Sequence, residues 1–183
     1  PGEPPPFRWS QMTPAILSPD EHFLFSTGRD GAIEIRSLFS GQTEATLAAG
    51  NWGVAGMAFS PDGSLFATAS AEGTVTVWNP SERKAMDVLR GHLLGVHAAA
   101  FSPDGQRIAS GSHGSEAVKL WDVVTRQEVA TLGGQGSMFS FVKFAPGGRM
   151  LVAINRQKVA HIWRAPSLAE IEAAERTLAP ASP

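Results

Sequence analysis

Apolar and polar residues alternate along much of this chain with the period of two that is typical of β-strands. Leu65, Ala67 and Ala69 alternate with small or polar neighbours, and Val75 and Val77 resume the pattern after a short break. In the following stretch the same rhythm predicts four strands, at 96–101, 107–112, 117–121 and 128–132. Short turns separate these strands, so each group of four is predicted to form an antiparallel meander.

One turn motif recurs between the first two predicted strands of each group, and its copies begin 42, 42 and 43 residues apart. Proline at the second position fixes φ near −65°, and glycine at the last position accepts a positive φ, so the motif is a turn on physical grounds. The four copies are Ser18-Pro19-Asp20-Glu21, Ser60-Pro61-Asp62-Gly63, Ser102-Pro103-Asp104-Gly105 and Ala145-Pro146-Gly147-Gly148. A second landmark follows each turn 18 or 19 residues after its first residue, at Arg36, Trp78, Trp121 and Trp163.

These motifs resemble WD repeats. In the third copy Gly91-His92 precedes the Phe-Ser-Pro-Asp-Gly turn and Trp121-Asp122 closes the repeat. The resemblance covers roughly residues 11–163 and implies an all-β fold, the WD-repeat β-propeller, in which each repeat supplies a four-stranded blade. We therefore predict four blades of a larger propeller of seven or eight blades.

The landmarks divide the chain into six parts. Strands at 42–47, 85–89 and 128–132 follow the third strand of the first three copies, whereas the fourth copy has none; Ser167 and Glu170 there form a capping box that predicts a short C-terminal helix. The predicted parts are 1–10 (linker or remnant of a preceding blade), 11–50, 51–92 and 93–135 (blades 1 to 3), 136–163 (blade 4, without its outer strand) and 164–183 (helix and tail).

WD-repeat propellers usually close by taking the missing outer strand from the N-terminal end of the domain. Prolines in residues 1–10 cannot donate ladder hydrogen bonds, so the resemblance implies that this strand comes from upstream sequence. An arc of four blades also leaves a sheet face bare at each end, and such apolar faces cause self-association. The missing blades of the same polypeptide are therefore among the expected partners.

In WD repeats a Trp, a Ser or Thr, the His of Gly-His and a turn Asp often form a hydrogen-bonded tetrad. No copy here is complete, because the third keeps His92, Ser110 or Ser112, and Trp121 but has Ser115-Glu116 at the turn. Stability is therefore expected to depend on apolar packing. The residues assigned a structural role are Trp78, Trp121, Trp163, His92 and Asp30.

Composition narrows the classes of function. The chain has no Cys, so it has neither disulfides nor thiolate chemistry, and we expect a reducing, cytoplasmic location. Its formal net charge of −2, with acids and bases interspersed, argues against nucleic acid or a membrane surface as partner. No apolar run approaches the ~20 residues that span a bilayer.

Side-chain chemistry does not indicate catalysis, a metal or a cofactor. The five histidines, at His22, His92, His97, His113 and His161, are expected in different blades without the close pairing of a zinc site. The serines occupy turn or strand positions that the fold explains, and the Gly-rich run 133–136 joins two strands rather than leading into a helix.

We therefore expect a non-catalytic protein-interaction scaffold, the C-terminal part of a longer protein, whose partner binds the loops on the face that carries Gly-His and the hairpin turns. The candidate partner-binding residues are Trp52, Trp9, Leu93, Leu94, Arg29, His113, Glu116, Arg156 and Gln157.

Two alternatives stay open. The run Trp163-Arg164-Ala165-Pro166-Ser167, followed by an acidic helix, resembles the tail of bacterial multidomain WD-repeat proteins, which implies a regulatory propeller of an enzyme such as a serine/threonine protein kinase. The other alternative is a nucleic-acid or small-ligand binder that uses the central channel.

Overall fold

Fifteen β-strands form four antiparallel sheets in the computed structural model, which describes residues 14–28, 31–49 and 53–165. Blade 1 consists of β1 (Ala15–Leu17), β2 (Phe23–Thr27), β3 (Ile33–Ser37) and β4 (Thr43–Leu47). Blade 2 consists of β5 (Val54–Phe59), β6 (Phe66–Ser70), β7 (Thr74–Asn79) and β8 (Lys84–Arg90). Blade 3 consists of β9 (Ala98–Phe101), β10 (Arg107–Gly111), β11 (Val118–Asp122) and β12 (Glu128–Leu132). Blade 4 has three described strands, β13 (Phe139–Phe144), β14 (Met150–Asn155) and β15 (Ala160–Arg164).

Each sheet is a meander in which strands adjacent in sequence are hydrogen-bonded neighbours. This arrangement confirms the predicted all-β fold of stacked propeller blades. The predicted C-terminal helix lies outside the described residues, which end at Ala165, and β15 continues one residue beyond the predicted limit of blade 4, to Arg164.

The recurring turn is stabilised by its own side chains in the first three copies. Ser102 Oγ accepts the backbone N–H of Arg107 at 2.9 Å and donates to Asp104 Oδ1 at 2.5 Å, and Asp104 Oδ1 also accepts the N–H of Gln106 at 2.9 Å. Hydrogen bonds from Ser102 and from the Gln106 amide hold the pKa of Asp104 below its ordinary value. In the fourth copy Ala145 and Gly147 replace the Ser and Asp, and the turn keeps its backbone hydrogen bond from Gly148 to Ala145.

The cores lie between blades. Trp78 packs with Phe25, Ile33 and Ile35 of blade 1, and Trp121 packs with Val75 and Val77 of blade 2. Trp163 packs in the same way on the cluster between blades 3 and 4, but it is only half-buried. The tryptophan of each of these blades therefore faces the preceding blade, so tryptophans 42 or 43 residues apart in the sequence lie at successive contacts between stacked blades.

The two outermost faces differ. On blade 4, Phe141, Met150 and Ile162 are exposed on the face directed away from blade 3. On blade 1 the corresponding outer face carries Arg36 at the landmark position, and its guanidinium lies 3.6 Å from the carboxylate of Glu34. Both end faces were expected to be equally apolar; among the described residues blade 4 exposes three large apolar side chains on its outer face, whereas blade 1 exposes Leu17 beside the charged pair.

Candidate interaction surface

Four loops meet at the end of blades 3 and 4 opposite the Ser-Pro-Asp turns. We call them together the upper loops: residues 91–97 between β8 and β9, 112–117 between β10 and β11, 133–138 between β12 and β13, and 156–159 between β14 and β15.

Leu93 and Leu94 lie in the first of these loops with 83% and 56% of their surface exposed. The backbone beneath them is nevertheless fixed. Glu116 Oε2 accepts the N–H of Leu93 at 3.2 Å, and the buried Ser112 hydroxyl lies 3.1 Å from the carbonyl of Leu94 and 2.9 Å from that of Gly95. Two apolar side chains are thus presented to solvent on a preorganised loop, which lowers the entropy cost of binding a partner.

Below this loop lies a buried hydrogen-bonded group of three residues. Ser110 Oγ accepts the indole N–H of Trp121 at 2.8 Å and lies 2.7 Å from His92 Nε2. His92 Nδ1 is buried and has no hydrogen-bond partner in the described part of the chain. Burial, and next the charge of Lys119, lower the pKa of His92 to about 4, so the imidazole is neutral at physiological pH.

Lys119 is a buried cation on β11 that sequence analysis did not identify. Its Nζ donates to both carboxylate oxygens of Glu128, at 3.0 and 2.9 Å, and to Thr131 Oγ1 at 2.8 Å, and it lies 3.5 Å from Glu116. Burial acts to raise the pKa of Glu128, but the hydrogen bonds from Thr131 and Lys119 outweigh it and the pKa is lowered. The sequence signal that could have identified Lys119 is its position in the predicted strand 117–121, where the alternation calls for an apolar residue.

On the blade 4 side the upper loops are linked through Ser137. Its backbone N–H and its hydroxyl contact the side-chain amide of Gln157 at 3.2 and 3.0 Å, and its carbonyl accepts the N–H of Arg156 at 3.1 Å. Arg156 and Gln157 are exposed. The two residues therefore lie on an ordered hairpin loop beside the 133–138 loop.

Two histidines lie much closer together than the sequence analysis expects. His97 Nε2 and His113 Nε2 are 2.8 Å apart within blade 3, and His113 Nδ1 accepts the N–H of Met138 at 3.3 Å. The expectation that the histidines are unpaired is therefore wrong for this pair. Among the described residues no three His, Asp or Glu side chains converge in a way that could hold a metal ion.

The structure brings together most of the predicted partner-binding residues that it describes. Leu93, Leu94, Glu116 and His113 lie in two adjoining loops, and contacts of His113 with Met138 and of Ser137 with Gln157 connect them to the loop of Arg156. The other predicted partner-binding residues, Trp9, Arg29 and Trp52, lie outside the described ranges, as does Asp30, which was assigned a structural role.

Comparison with known proteins agrees with this architecture. Residues 41–79 and 83–122 each match the family model described as WD domain, G-beta repeat. Each match begins at or just before the outer strand of one blade and ends on the third strand of the next, so the sequence repeat and the blade are offset by one strand.

The chain is also similar to Transcription initiation factor TFIID subunit 5 of Caenorhabditis elegans, at 28% identity over 147 residues. The similarity covers 80% of this chain and 22% of that protein, so the chain spans about a fifth of the length of this relative. This eukaryotic relative lends no support to the resemblance to bacterial multidomain proteins. Within the described ranges, the structure contains no helix of the length and hydrophobicity required to cross a membrane.

Proposed function

We propose that this chain is part of a non-catalytic protein-interaction scaffold and that its partner binds the upper loops, with Leu93 and Leu94 as apolar anchors. The observation that carries the proposal is that loop 91–97 exposes two leucine side chains while its backbone is hydrogen-bonded to Glu116 and Ser112. Large apolar side chains on a fixed backbone supply buried area on binding at little cost in conformational entropy.

The comparisons support this role at a coarser level. The chain contains WD repeats, and its relative is named as a subunit of a transcription initiation factor, which is a protein assembly. A protein partner is therefore a better match to these findings than a small substrate. The identity of the partner is not carried over from the relative.

We further propose that another blade of the same polypeptide covers the outer face of blade 4. Ile162 is 65% exposed, whereas Val77, which occupies the equivalent position beside the tryptophan in blade 2, is 0% exposed under blade 3. The apolar side chains of blade 4 thus occupy positions that are covered in a neighbouring blade.

The binding proposal is tested by comparing Leu93→Asp with Val124→Asp in affinity capture by the full-length protein, followed by measured affinity for the captured proteins. Val124 is 84% exposed in the turn between β11 and β12, at the other end of blade 3, and is a matched control. We expect Leu93→Asp to weaken binding by about 2 kcal/mol or more, as for an interface hot spot, with an unchanged melting temperature. Equal binding by both variants and the wild type excludes the upper loops as the binding surface.

A further inference from the structure

The contact between His97 and His113 joins three separate segments. His97 directly precedes β9, His113 lies in the 112–117 loop, and Met138 directly precedes β13 of blade 4. The imidazole rings meet edge to face, with centroids 4.8 Å apart and an interplanar angle of 70°. Neither histidine takes part in the His92, Ser110 and Trp121 group, so this contact has a separate role.

The hydrogen bonds fix where the protons lie. A neutral imidazole has one N–H donor and one lone pair. Since His113 Nδ1 accepts the N–H of Met138, the proton of His113 is on Nε2 and is donated to His97 Nε2. His97 therefore carries its own proton on Nδ1.

Each neutral ring thus has one lone pair, and both are already in use: that of His97 accepts the N–H of His113, and that of His113 accepts the N–H of Met138. A proton added to His97 places an N–H against the N–H of His113. A proton added to His113 places an N–H against the amide of Met138 instead. Either event breaks one of the two hydrogen bonds, because two donors cannot share a contact without an acceptor.

The surroundings do not compensate for the added charge. Burial, and next the positive charge of His113 when it is protonated, lower the pKa of His97. The nearest acidic side chain on the same hairpin loop, Glu116, is bound to Lys119 and to the amide of Leu93. Of the other loops, 156–159 carries the cations Arg156 and Lys158, and 133–138 carries no ionisable side chain. The blade 2 loop 71–73, which packs against loop 91–97, carries Glu72, but no carboxylate is among the groups that shift the pKa of His97.

We propose that His97 and His113 form a proton-operated clasp: the neutral pair fastens the hairpin loop of blade 3 to the start of blade 4, and uptake of one proton in mildly acidic solution opens it. Ser112, which holds the Leu93 and Leu94 loop, is the direct neighbour of His113. Opening therefore also weakens binding at the upper loops; this consequence rests on the proposed function, whereas the clasp itself does not.

The clasp is tested by NMR on the full-length protein with labelled histidine and backbone amides, in buffer containing EDTA, between pH 8 and pH 5. We expect signals of both rings and of the Met138 amide to change together with pH, and the midpoint at the His97 ring to lie below the ordinary histidine value of about 6.5. The protection factor of the Met138 amide is expected to fall about tenfold or more as the clasp opens. His97→Gln and His113→Gln should each abolish the transition at Met138, and His22→Gln, which changes an exposed histidine of blade 1, should retain it.

Three results overturn the proposal. One is a Met138 amide that does not respond to pH in the wild type, which decides the matter even if the variants do not fold. Another is a transition at Met138 that persists in both variants. The third is stoichiometric binding of Zn²⁺ to the two rings at neutral pH without EDTA, because the pair is then a metal-binding site. A pH-dependent clasp with pH-independent partner affinity contradicts only the binding role of the upper loops.

Discussion

The indole nitrogen of Trp121 lies 2.8 Å from the hydroxyl oxygen of Ser110, and both side chains are buried. The equivalent contact in blade 2 joins Trp78 to Thr68 at 2.9 Å. In blade 4 the position that matches Ser110 is Ala153, which has no hydroxyl, and the matching Trp163 is half-buried. The tryptophans therefore share a position in the repeat without sharing the same polar contacts.

Ser110→Ala should destabilise the protein by about 1–3 kcal/mol, because it leaves the buried indole N–H of Trp121 and the imidazole of His92 without their shared partner. Urea denaturation followed by tryptophan fluorescence measures the change. Ser140→Ala, at an exposed serine on β13, is the matched control and should lie within about 0.5 kcal/mol of the wild type. Equal stability of the two variants contradicts a structural role for Ser110.

Stability should decrease as the pH falls from about 6.5 to about 4, because the pKa of His92 is about 4 in the folded protein and about 6.5 in the unfolded chain. In this interval the unfolded state binds more protons. The contribution is fully present above pH 6.5 and amounts to at most about 3 kcal/mol. Denaturation at a series of pH values should give a shallower slope for His92→Gln than for the wild type, with a residual slope because the pKa of His97 is also lowered.

Lys119→Met should raise the pKa of His92, because the charge of Lys119 is the second-largest cause, after burial, that lowers this pKa. The negative charges of Glu116 and Glu128, which raise it, stay in place. The variant should also lose about 1–3 kcal/mol of stability. This loss is smaller than that for breaking a fully buried ion pair, since Glu128 is partly exposed. NMR titration of the His92 ring measures the pKa. Lys143→Met, at an exposed lysine of β13, should leave that pKa unchanged.

Gly111→Ala should loosen the junction of blades 3 and 4. A Cβ at this position would lie 2.6 Å from the Phe139 carbonyl oxygen and 2.8 Å from Val142 Cγ2, so the two sheets must move apart, at a cost of about 1–3 kcal/mol. At Gly147 a Cβ meets nothing within 4 Å, and Gly147→Ala should be neutral or slightly stabilising. Thermal denaturation of the two variants side by side measures the difference. Equal midpoints would falsify the packing argument.

Residues 14–165 expressed alone should self-associate through the outer face of blade 4, because exposed apolar patches of this kind promote association. Light scattering over a concentration series measures the effect. Ile162→Lys should reduce the association, whereas Val124→Lys, at a similarly exposed residue outside that face, should not. A monomeric wild type at all concentrations contradicts the proposal that another blade covers this face.

Local chemistry in the sequence was sufficient to predict the sheets. Alternation with a period of two sets which side chains point toward a neighbouring blade, and the Ser-Pro-Asp-Gly turn is stabilised by residues within five positions of one another. For the same reason the predicted fourth strand of blade 3 at 128–132 agrees residue by residue with β12. The four-stranded meanders and the regular positions of Trp78 and Trp121 thus followed from pattern in the sequence, whereas the propeller itself was what the resemblance to WD repeats implied.

Only the tertiary structure showed which loop side chains meet. His97 lies 16 residues from His113, and His113 lies 25 residues from Met138, so their contacts depend on how three loops cross at the junction of two blades. Periodicity places strands but does not determine loop paths, and it could not show that Glu116 would bind Lys119 and the Leu93 amide instead of His92. Repeat spacing therefore determined the scaffold, while long-range packing decided the chemistry of its upper loops.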